Sequence, residues 1–422
     1  MQKFMEEKVM PIANIISQNK YLKALSGGMM SVLSIMMVGA FFTILGNIPI
    51  DVYKEFLVQY NLDKVFTLAK NMTTEVIGIY MAFLVGKSFA VLHGHKEHST
   101  SIGLLTVMSF LILLPVSNFE GGNYLSLTYL GSQGMFVALI CGIITPFVYK
   151  VVINRGWKIT LPEGVPYNVA SSFNNIIPAV MIAIVFLIIN AIFASTGAGN
   201  AFSFIYSLLQ APLQAVTGNI GTLLLLVLVS QVLWFFGIHG SMTVLPVIFP
   251  MWMAMTAENM SSYAANGTIA NPINVAFFDY ATIGGCGATL GLAILMFFFS
   301  KSKQYKAYGK LFLPCGIFNI NEPMVFSMPL MLNPIMLIPF ILSPIIAVLL
   351  GYVSICVLGI VEPPIGIMNM AYVPVIFRGI FQGSVSQAIL EVTIVLSSVV
   401  IYLPFFKYLD KKAYKLEQEG NK

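Results

Sequence analysis

The sequence predicts an all-α polytopic membrane protein with about ten transmembrane helices. Hydrophobic residues make up 58% of the 422 positions and charged residues only 9%, whereas roughly a quarter of the residues in an ordinary soluble domain are charged. A spanning helix needs about 20 apolar residues, so the chain has room for roughly ten such helices and their loops. The net charge of +5 does not indicate nucleic-acid binding, because the lysines flank apolar runs as membrane anchors do.

The first half of the chain contains a series of predicted spans. The first covers about Gly27–Ile50, and a longer polar segment, Asp51–Thr74, follows it. Further apolar runs are centred near residues 83, 108, 142 and 186. Gly197–Gly218 is uncharged and is interrupted by Pro212, which lacks the N–H that a helix needs. We therefore expect an interfacial helix or linker there rather than a span.

The second half contains two proline-rich interruptions, Leu313–Asn333 and Glu362–Gly383. Predicted spans are centred near residues 228, 249, 290, 348 and 395 around them. Paired broken segments are typical of the binding site of a transporter, and we expect both to be re-entrant hairpins. The predicted domains are a membrane half at 1–200, a linker at 201–218, a second membrane half at 219–410 and a tail at 411–422.

The distribution of lysines predicts that both termini lie in the cytoplasm, which requires an even number of crossings. Lysines flank the first predicted span and follow the last one. Ten crossings agree with the charges of all loops except the polar segment Asp51–Thr74. The lysines concerned are Lys3, Lys8, Lys20, Lys23, Lys407, Lys411, Lys412 and Lys415.

An acid, Glu322, lies inside the first broken segment. We expect the surrounding prolines and glycine to prevent one continuous helix; they are Pro314, Gly316, Pro323 and Pro329. A carboxylate at membrane depth costs about 3 kcal/mol or more unless it faces a partner or a wet cavity. Non-helical backbone at that depth also survives only in such surroundings. The sequence therefore predicts a ligand site inside the membrane.

Three stretches of sequence resemble a known family. They are FNINEPMVFSMPLMLNPIMLIPF, LPEGVPYNVASSFNNIIP near residue 165, and FFGIHGSMTVLP near residue 240. They resemble the membrane-spanning enzyme IIC component of sugar phosphotransferase systems, in the lactose, cellobiose and diacetylchitobiose branch. The likeness extends over nearly the whole chain. Ser327 stands where the family usually has glycine, and Tyr167 stands where it often has a second proline.

The resemblance implies a permease of the bacterial inner membrane that binds a disaccharide such as cellobiose, diacetylchitobiose or lactose. The permease would move the sugar inward and present its 6-hydroxyl to phosphorylated enzyme IIB, with enzyme IIA upstream and both on separate chains. The chain would be the membrane component of a phosphotransferase and would use no cofactor. The resemblance also implies a homodimer formed mainly through residues 1–200, with the sugar pocket in residues 219–410.

Five residues are candidates for the site. We expect Glu322 to accept hydrogen bonds from the sugar and to take the proton of the phosphorylated hydroxyl, since burial would raise its pKa toward ambient pH. By the resemblance His239 contacts the sugar and helps to orient that hydroxyl, and either residue could be the general base. Trp234 offers a flat face and an N–H to a sugar ring, although a tryptophan at the membrane interface is the alternative. Asn319 and Asn321 bring amides suited to hydroxyls, or they satisfy hairpin backbone.

Other ionisable residues have simpler interpretations. His93, His95, His98 and Glu97 fit no common zinc spacing, so we expect a solvated loop and no metal. Glu163 is expected to shape a loop, Glu362 is a possible second acid of the pocket, and Asp279 could shape the cavity. The cysteines are scattered without paired spacing and predict buried side chains rather than disulfides.

Two alternative functions remain open from the sequence. In the first, the chain is a secondary transporter in which Glu322 and His239 exchange protons and no chemistry takes place. In the second, it is a membrane sensor or scaffold that binds no sugar. The chain has no glycine-rich loop followed by lysine and Ser/Thr, which argues against ATP-driven transport by this chain alone.

Overall fold

The structure is a computed structural model. It describes residues 19–46, 51–119, 122–159, 162, 173–236, 239–328, 330, 333–368, 370 and 373–419. Within these ranges, the described side chains exclude those of Leu33, Met37, Ala40, Ile44, Asp51, Met242, Glu322, Phe326 and Ser327. The predictions that concern Glu163 and Tyr167 fall outside the described residues.

The described part of the chain is mostly helical, as the composition predicts. In chain order the first helices are α1 (Lys20–Met30), α2 (Leu33–Gly46), α3 (Asp51–Gln59), α4 (Leu62–Asn71), α5 (Ile77–Leu92), α6 (Ser99–Leu113), α7 (Leu127–Leu130), α8 (Met135–Asn154), α9 (Ile176–Ala194), α10 (Ala201–Ile205) and α11 (Ala211–Thr217). The remaining helices are α12 (Ile220–Phe235), α13 (Gly240–Asn266), α14 (Val275–Tyr280), α15 (Leu290–Phe299), α16 (Lys303–Ile317), α17 (Glu322–Ser327), α18 (Pro334–Tyr352), α19 (Phe377–Phe381) and α20 (Val385–Glu419).

Six helical stretches of the described residues are long and apolar enough to cross a membrane. They are Lys20–Thr43, Leu62–Leu92, Ser132–Asn154, Ile176–Ala194, Pro334–Val357 and Val385–Glu419. A seventh span results if Ala201–Thr217 and Ile220–Phe235, which are bent by 70° at their junction, count as one. Ser99–Leu113 and Cys286–Phe299 are shorter apolar helices. Ten crossings and cytoplasmic termini remain predictions.

A small β-hairpin departs from the expected all-α fold. Strands β1 (Val116–Phe119) and β2 (Gly122–Leu125) pair antiparallel, with Val116 opposite Leu125 and Phe119 opposite Gly122. The polar residues of this segment cannot extend a membrane helix, and pairing two short strands satisfies their backbone groups.

The described residues divide into two compact units. The N-terminal unit is built from the described residues of Ile16–Ala215 and Pro246–Thr268, and the C-terminal unit from those of Val216–Leu245 and Ile269–Lys422. In the N-terminal unit, α5 packs against α1, α6 and α8. In the C-terminal unit, α15 packs against α16 and α20, and α18 packs against α12 and α20. All five candidate site residues belong to the C-terminal unit.

The first broken segment is interrupted later than the sequence suggested. Helix α16 continues through Pro314 and Gly316, so the prediction that these two residues interrupt the helix is wrong. Proline removes a single helical hydrogen bond, and a Cβ atom at Gly316 would make only ordinary contacts with Leu290 and Ala293, so neither residue requires a break in α16. The interruption comes at Asn319, whose φ of 59° lies in the left-handed region that ends helices.

Two carboxylates of α20 cap the start of α16. Asp410 accepts hydrogen bonds from the N–H groups of Lys301 and Ser302 at 2.9 and 3.0 Å. Glu417 accepts from the Lys303 N–H at 3.0 Å and from the Ser302 hydroxyl at 2.7 Å. The first N–H groups of a helix lack partners within the helix, and negative charge is favoured there. The far end of α20 therefore fixes the helix that leads to the first broken segment.

Candidate functional site

A glycine turn between α14 and α15 forms the base of the site. Gly284, Gly285 and Gly287 have φ values of 77°, 93° and 76°, a region in which a side chain is strained. A Cβ atom on Gly285 would collide with the side chain of Asn321. Only glycine therefore allows Asn321 to lie directly against this turn.

Asn321 fastens the first broken segment to the glycine turn. Its side chain is 4% exposed, and its Nδ2 donates to the Cys286 carbonyl at 2.6 Å and to the Thr289 hydroxyl at 2.7 Å. Its Oδ1 accepts from the Cys286 thiol at 3.3 Å. In this structure the hydrogen bonds of the amide thus go to protein groups, which makes Asn321 a positioning residue for the helix that begins at Glu322.

Asn319 connects three separate parts of the C-terminal unit. Its Oδ1 accepts from the Gly284 N–H at 2.7 Å, and its Nδ2 donates to the Val373 carbonyl at 3.0 Å. It thereby ties the end of α16 both to the glycine turn and to the second broken segment. A displacement of either broken segment would consequently affect the hydrogen bonds through which Asn319 holds the other.

Trp234 and His239 lie next to each other. Their ring centroids are 4.2 Å apart with an interplanar angle of 47°. Trp234 is 3% exposed, and its indole Nε1 has no hydrogen-bond partner among the described residues. A buried indole N–H ordinarily finds a partner, so this unbonded donor is unusual. His239 is half-buried, and its carbonyl accepts from the N–H and hydroxyl of Thr243.

One buried apolar cluster contains both Trp234 and residues of the first broken segment. Trp234 packs in one buried cluster with Cys286 and with Met324, Val325 and Met328, which belong to or directly follow α17. Helix α17 begins at Glu322, although the Glu322 side chain lies outside the described residues. Trp234 therefore shares a buried cluster with residues of α17, and His239 lies beside Trp234.

Several polar residues that hold the glycine turn were missed by the sequence analysis. Gln231 accepts from the Gly287 N–H at 2.8 Å, and the Tyr402 hydroxyl donates to the Gly287 carbonyl at 2.7 Å. Ser398 donates to the Ala288 carbonyl at 2.6 Å. Each is a buried polar residue on an apolar helix. Because leaving such a group without a hydrogen bond costs free energy, its presence in an apolar run could have predicted a tertiary hydrogen bond.

The second broken segment is held by side chains from three elements. Asn274 donates to the Pro364 carbonyl at 2.9 Å, and Gln387 of α20 donates to the Glu362 carbonyl. Gln382 accepts from the N–H groups of Gly366 and Ile367 at 2.9 and 3.0 Å. The backbone here lacks helical hydrogen bonds, and these amides replace them. Glu362 itself, the possible second acid, is exposed.

A buried ion pair completes the support of this segment. The Arg378 Nε lies 2.7 Å from the Glu391 Oε1, and both side chains are 1% exposed. The other Glu391 oxygen accepts from the Ile376 N–H at 3.3 Å. Asp279, which the sequence suggested could shape the cavity, is buried within electrostatic range of this pair.

The histidine-rich loop belongs to the N-terminal unit. Burial, followed by the positive charge of Lys150, lowers the pKa of His93. Burial also lowers the pKa of His95, with smaller contributions from His98, His93 and Lys150. The His95 ring packs against Tyr149 at 5.3 Å. Among the described residues, no group of three His, Cys, Asp or Glu side chains could hold a metal ion.

Comparison with known proteins identifies the family. A family model described as "Phosphotransferase system, EIIC" matches residues 26–344. The chain belongs to this family. The resemblance found in the three sequence stretches is therefore confirmed, and with it the prediction of a membrane transporter component with bacterial relatives.

Individual relatives define the branch of the EIIC family. The chain is 33% identical to the lichenan permease IIC component of Bacillus subtilis (strain 168), covering 98% of this chain and 95% of that protein. It is 31% identical to the cellobiose-specific EIIC component of Geobacillus stearothermophilus, covering 99% and 96%. The crystal structure of ChbC, the IIC component of an N,N'-diacetylchitobiose-specific phosphotransferase system, superimposes with a TM-score of 0.90 at 31% identity, covering 98% and 99%. The chain is thus a sugar permease of this branch.

Proposed function

We propose that this EIIC component binds a disaccharide such as cellobiose, diacetylchitobiose or lactose, moves it across the membrane, and presents its 6-hydroxyl to phosphorylated enzyme IIB. The observation that carries the proposal is the Trp234–His239 ring pair, with its unpartnered indole N–H, beside the helix that begins at Glu322. A flat aromatic face with a polar edge suits a sugar ring, which has apolar faces and a rim of hydroxyls. The names of the relatives support the sugar class.

The phosphoryl transfer needs a group that accepts a proton. As the 6-hydroxyl oxygen forms its bond to phosphorus, the bond from phosphorus to the cysteine of enzyme IIB breaks and the hydroxyl proton leaves. Glu322 or His239 takes that proton, and the other orients the hydroxyl. Asn319 and Asn321 act through the backbone that they fasten. The phosphorylated sugar is an anion, and repulsion from Glu322 would favour its release inward.

The enzyme IIB partner is proposed to be a separate chain. The lichenan and cellobiose relatives are named for the IIC component alone, and the present chain covers 95% and 96% of their lengths. We also propose a homodimer assembled through residues 1–200, a linker at 201–218, a sugar-binding half at 219–410 and a cytoplasmic tail at 411–422. Molar mass by light scattering in detergent tests the dimer, and a monomeric mass would refute it.

The first experiment replaces the proposed acid. Membrane vesicles supplied with phosphorylated enzyme IIB should form sugar phosphate inside, and Glu322→Gln should lower this rate by about a hundredfold or more, the range for a lost general base. Glu362→Gln is the matched control, because Glu362 is an exposed acid of the other broken segment. Near-normal phosphorylation in the Glu322→Gln variant would remove Glu322 from the reaction. Accumulation of unmodified sugar driven by a proton gradient would instead support the secondary transporter.

The second experiment measures sugar binding without phosphorylation. We expect His239→Ala to weaken binding of cellobiose, diacetylchitobiose or lactose about tenfold, which equals about 1.4 kcal/mol. Trp234→Phe keeps an aromatic face but removes the indole N–H, so its loss should be smaller. His93→Ala, in the loop of the N-terminal unit, is the control. Unchanged affinity in both His239→Ala and Trp234→Phe by titration calorimetry would place the pocket elsewhere.

A further inference from the structure

A buried cluster of ionisable side chains lies outside the groups that act on the sugar. It consists of Arg378 on α19, Glu391 on α20 and Asp279 on α14. Arg378 is 0% exposed, Glu391 1% and Asp279 7%. All three belong to the C-terminal unit. Buried charges require partners, so the cluster can be judged by which of its atoms are satisfied.

Glu391 is fully satisfied as an anion. One oxygen accepts from the Arg378 Nε at 2.7 Å, and the other accepts from the Ile376 N–H at 3.3 Å. A carboxylate that accepts a charge-assisted bond and a backbone N–H is stabilised in its ionised form. Arg378 remains protonated in proteins. The pair is therefore neutral as a unit.

Asp279 has no such partner. Its Oδ2 is buried and makes no hydrogen bond within the described residues, and neither do the Nη1 and Nη2 atoms of Arg378. The carboxyl is within electrostatic range of Arg378 and Glu391. With Glu391 already using the single positive charge, an ionised Asp279 would leave one uncompensated negative charge in buried surroundings and beside a like charge. Burial and the charge of Glu391 disfavour the ionised form of Asp279, and they act against the attraction of Arg378.

The neighbouring helices supply no second cation. Helix α14 packs against α12 and α18, and neither Ile220–Phe235 nor Pro334–Tyr352 contains Asp, Glu, Lys, Arg or His. Tyr280 is a further titratable group within electrostatic range of Asp279, and its hydroxyl already donates to the Gln387 side chain. Within the described residues, Arg378 is thus the positive charge that faces Asp279.

We propose that Asp279 is a proton-binding site. A proton from water resides on the Asp279 carboxyl, and the cluster then holds one guanidinium, one carboxylate and one neutral acid. This proton is distinct from the one that leaves the sugar hydroxyl, so the inference stands apart from the proposed function.

Infrared spectroscopy of the full-length chain in nanodiscs tests the protonation state directly. At neutral pH the wild type should show the carbonyl stretching band of a protonated carboxylic acid, shifted in heavy water, and Asp279→Asn should lack it. Glu362→Gln, which changes an exposed acid, should retain the band, whereas Glu391→Gln should weaken it, because Arg378 can then pair with an ionised Asp279. A difference spectrum between wild type and Asp279→Asn without this band would overturn the proposal, as would a band that is lost in Glu362→Gln and kept in Asp279→Asn.

Thermal stability gives a second readout. Asparagine resembles a neutral aspartic acid, so Asp279→Asn should keep the wild-type melting temperature or exceed it at neutral pH. Glu391→Gln should melt lower, because it leaves Arg378 without its counter-charge. If Asp279→Asn melts clearly lower than the wild type, or fails to fold, Asp279 is needed as an anion for Arg378 and the proposal is wrong.

Discussion

The two broken segments of the C-terminal unit are supported by different chemistry. The first, around Asn319 and Asn321, is fastened by neutral amides to the glycine turn. The second is fastened partly by amides and partly by the buried pair of Arg378 and Glu391. In the first segment, which contains the ionisable residue Glu322, the side chains that fasten the backbone are the neutral amides of Asn319 and Asn321. In the second, the charge itself is structural.

This difference separates positioning from reactivity. A charge committed to an ion pair is not available to a substrate, whereas amides can hold a segment and leave a neighbouring acid free to react. The first segment is therefore the better candidate for chemistry, and the second for support and movement. Because Asn319 also donates to the Val373 carbonyl, the two segments are mechanically joined. The predictions below test whether charge and amide support differ in strength as expected.

The largest effect should follow from breaking the ion pair. Arg378→Leu leaves Glu391 buried without its cation, and removal of one partner of a buried pair typically costs about 3–5 kcal/mol. We expect little folded protein in detergent. The double variant Arg378→Leu/Glu391→Leu removes both charges and should regain most of the lost stability. Fluorescence-detected size exclusion with heating measures both, and a single variant as stable as the wild type would show that the charge is not structural.

The next effect concerns the glycine turn beneath the first segment. Gly285→Ala should destabilise the protein by more than Gly359→Ala, since both glycines have positive φ but only at Gly285 would the new Cβ meet another group, the Asn321 side chain. The control substitution should cost only the backbone strain of about 1–2 kcal/mol. Gly285→Ala should also weaken sugar binding by displacing Asn321. Equal decreases in melting temperature in the two variants would mean that the contact with Asn321 does not contribute to the destabilisation.

The smallest effect should come from one neutral hydrogen-bonding group. Thr289 accepts from Asn321 and donates to the Gly284 carbonyl at 2.7 Å each, so Thr289→Val should cost about 1–3 kcal/mol by leaving buried partners unbonded. Thr393→Val is the matched control, since its hydroxyl bonds only within its own helix at an exposed position. The melting temperature of each variant gives the comparison, and a control that loses as much as Thr289→Val would contradict it.

Sequence reasoning located the first segment because its signals are local. Glu322 in an apolar stretch and Pro323 beside it predict a helix break that forms part of a ligand site. The resemblance of the FFGIHGSMTVLP stretch to the EIIC family supported His239, and Trp234 was a candidate because an indole suits a sugar ring. The structure places Trp234 and His239 together, which no spacing along the chain could have shown, because their contact depends on how the backbone turns between α12 and α13.

The support of the second segment was not predicted, for a physical reason. Arg378 and Glu391 are separated by a turn and lie on different helices, so their pairing is a tertiary contact. Each is an ionisable residue in an apolar stretch, so the free-energy cost of burying it could have been recognised from the sequence. Glycines in an apolar stretch can allow either close helix packing or a left-handed turn, and those at 284, 285 and 287 form the turn. Composition cannot separate those two uses of glycine.

Helix α20 has a length that matters for both segments. Its 35 residues extend about 52 Å at 1.5 Å per residue, well beyond the roughly 30 Å of a hydrocarbon layer. One end carries Glu391 under the second segment, and the other end carries the carboxylates that cap α16. Helix α20 thus supports both broken segments. Truncating the C-terminus so that Asp410 and Glu417 are removed would loosen the first broken segment and leave the second unaffected.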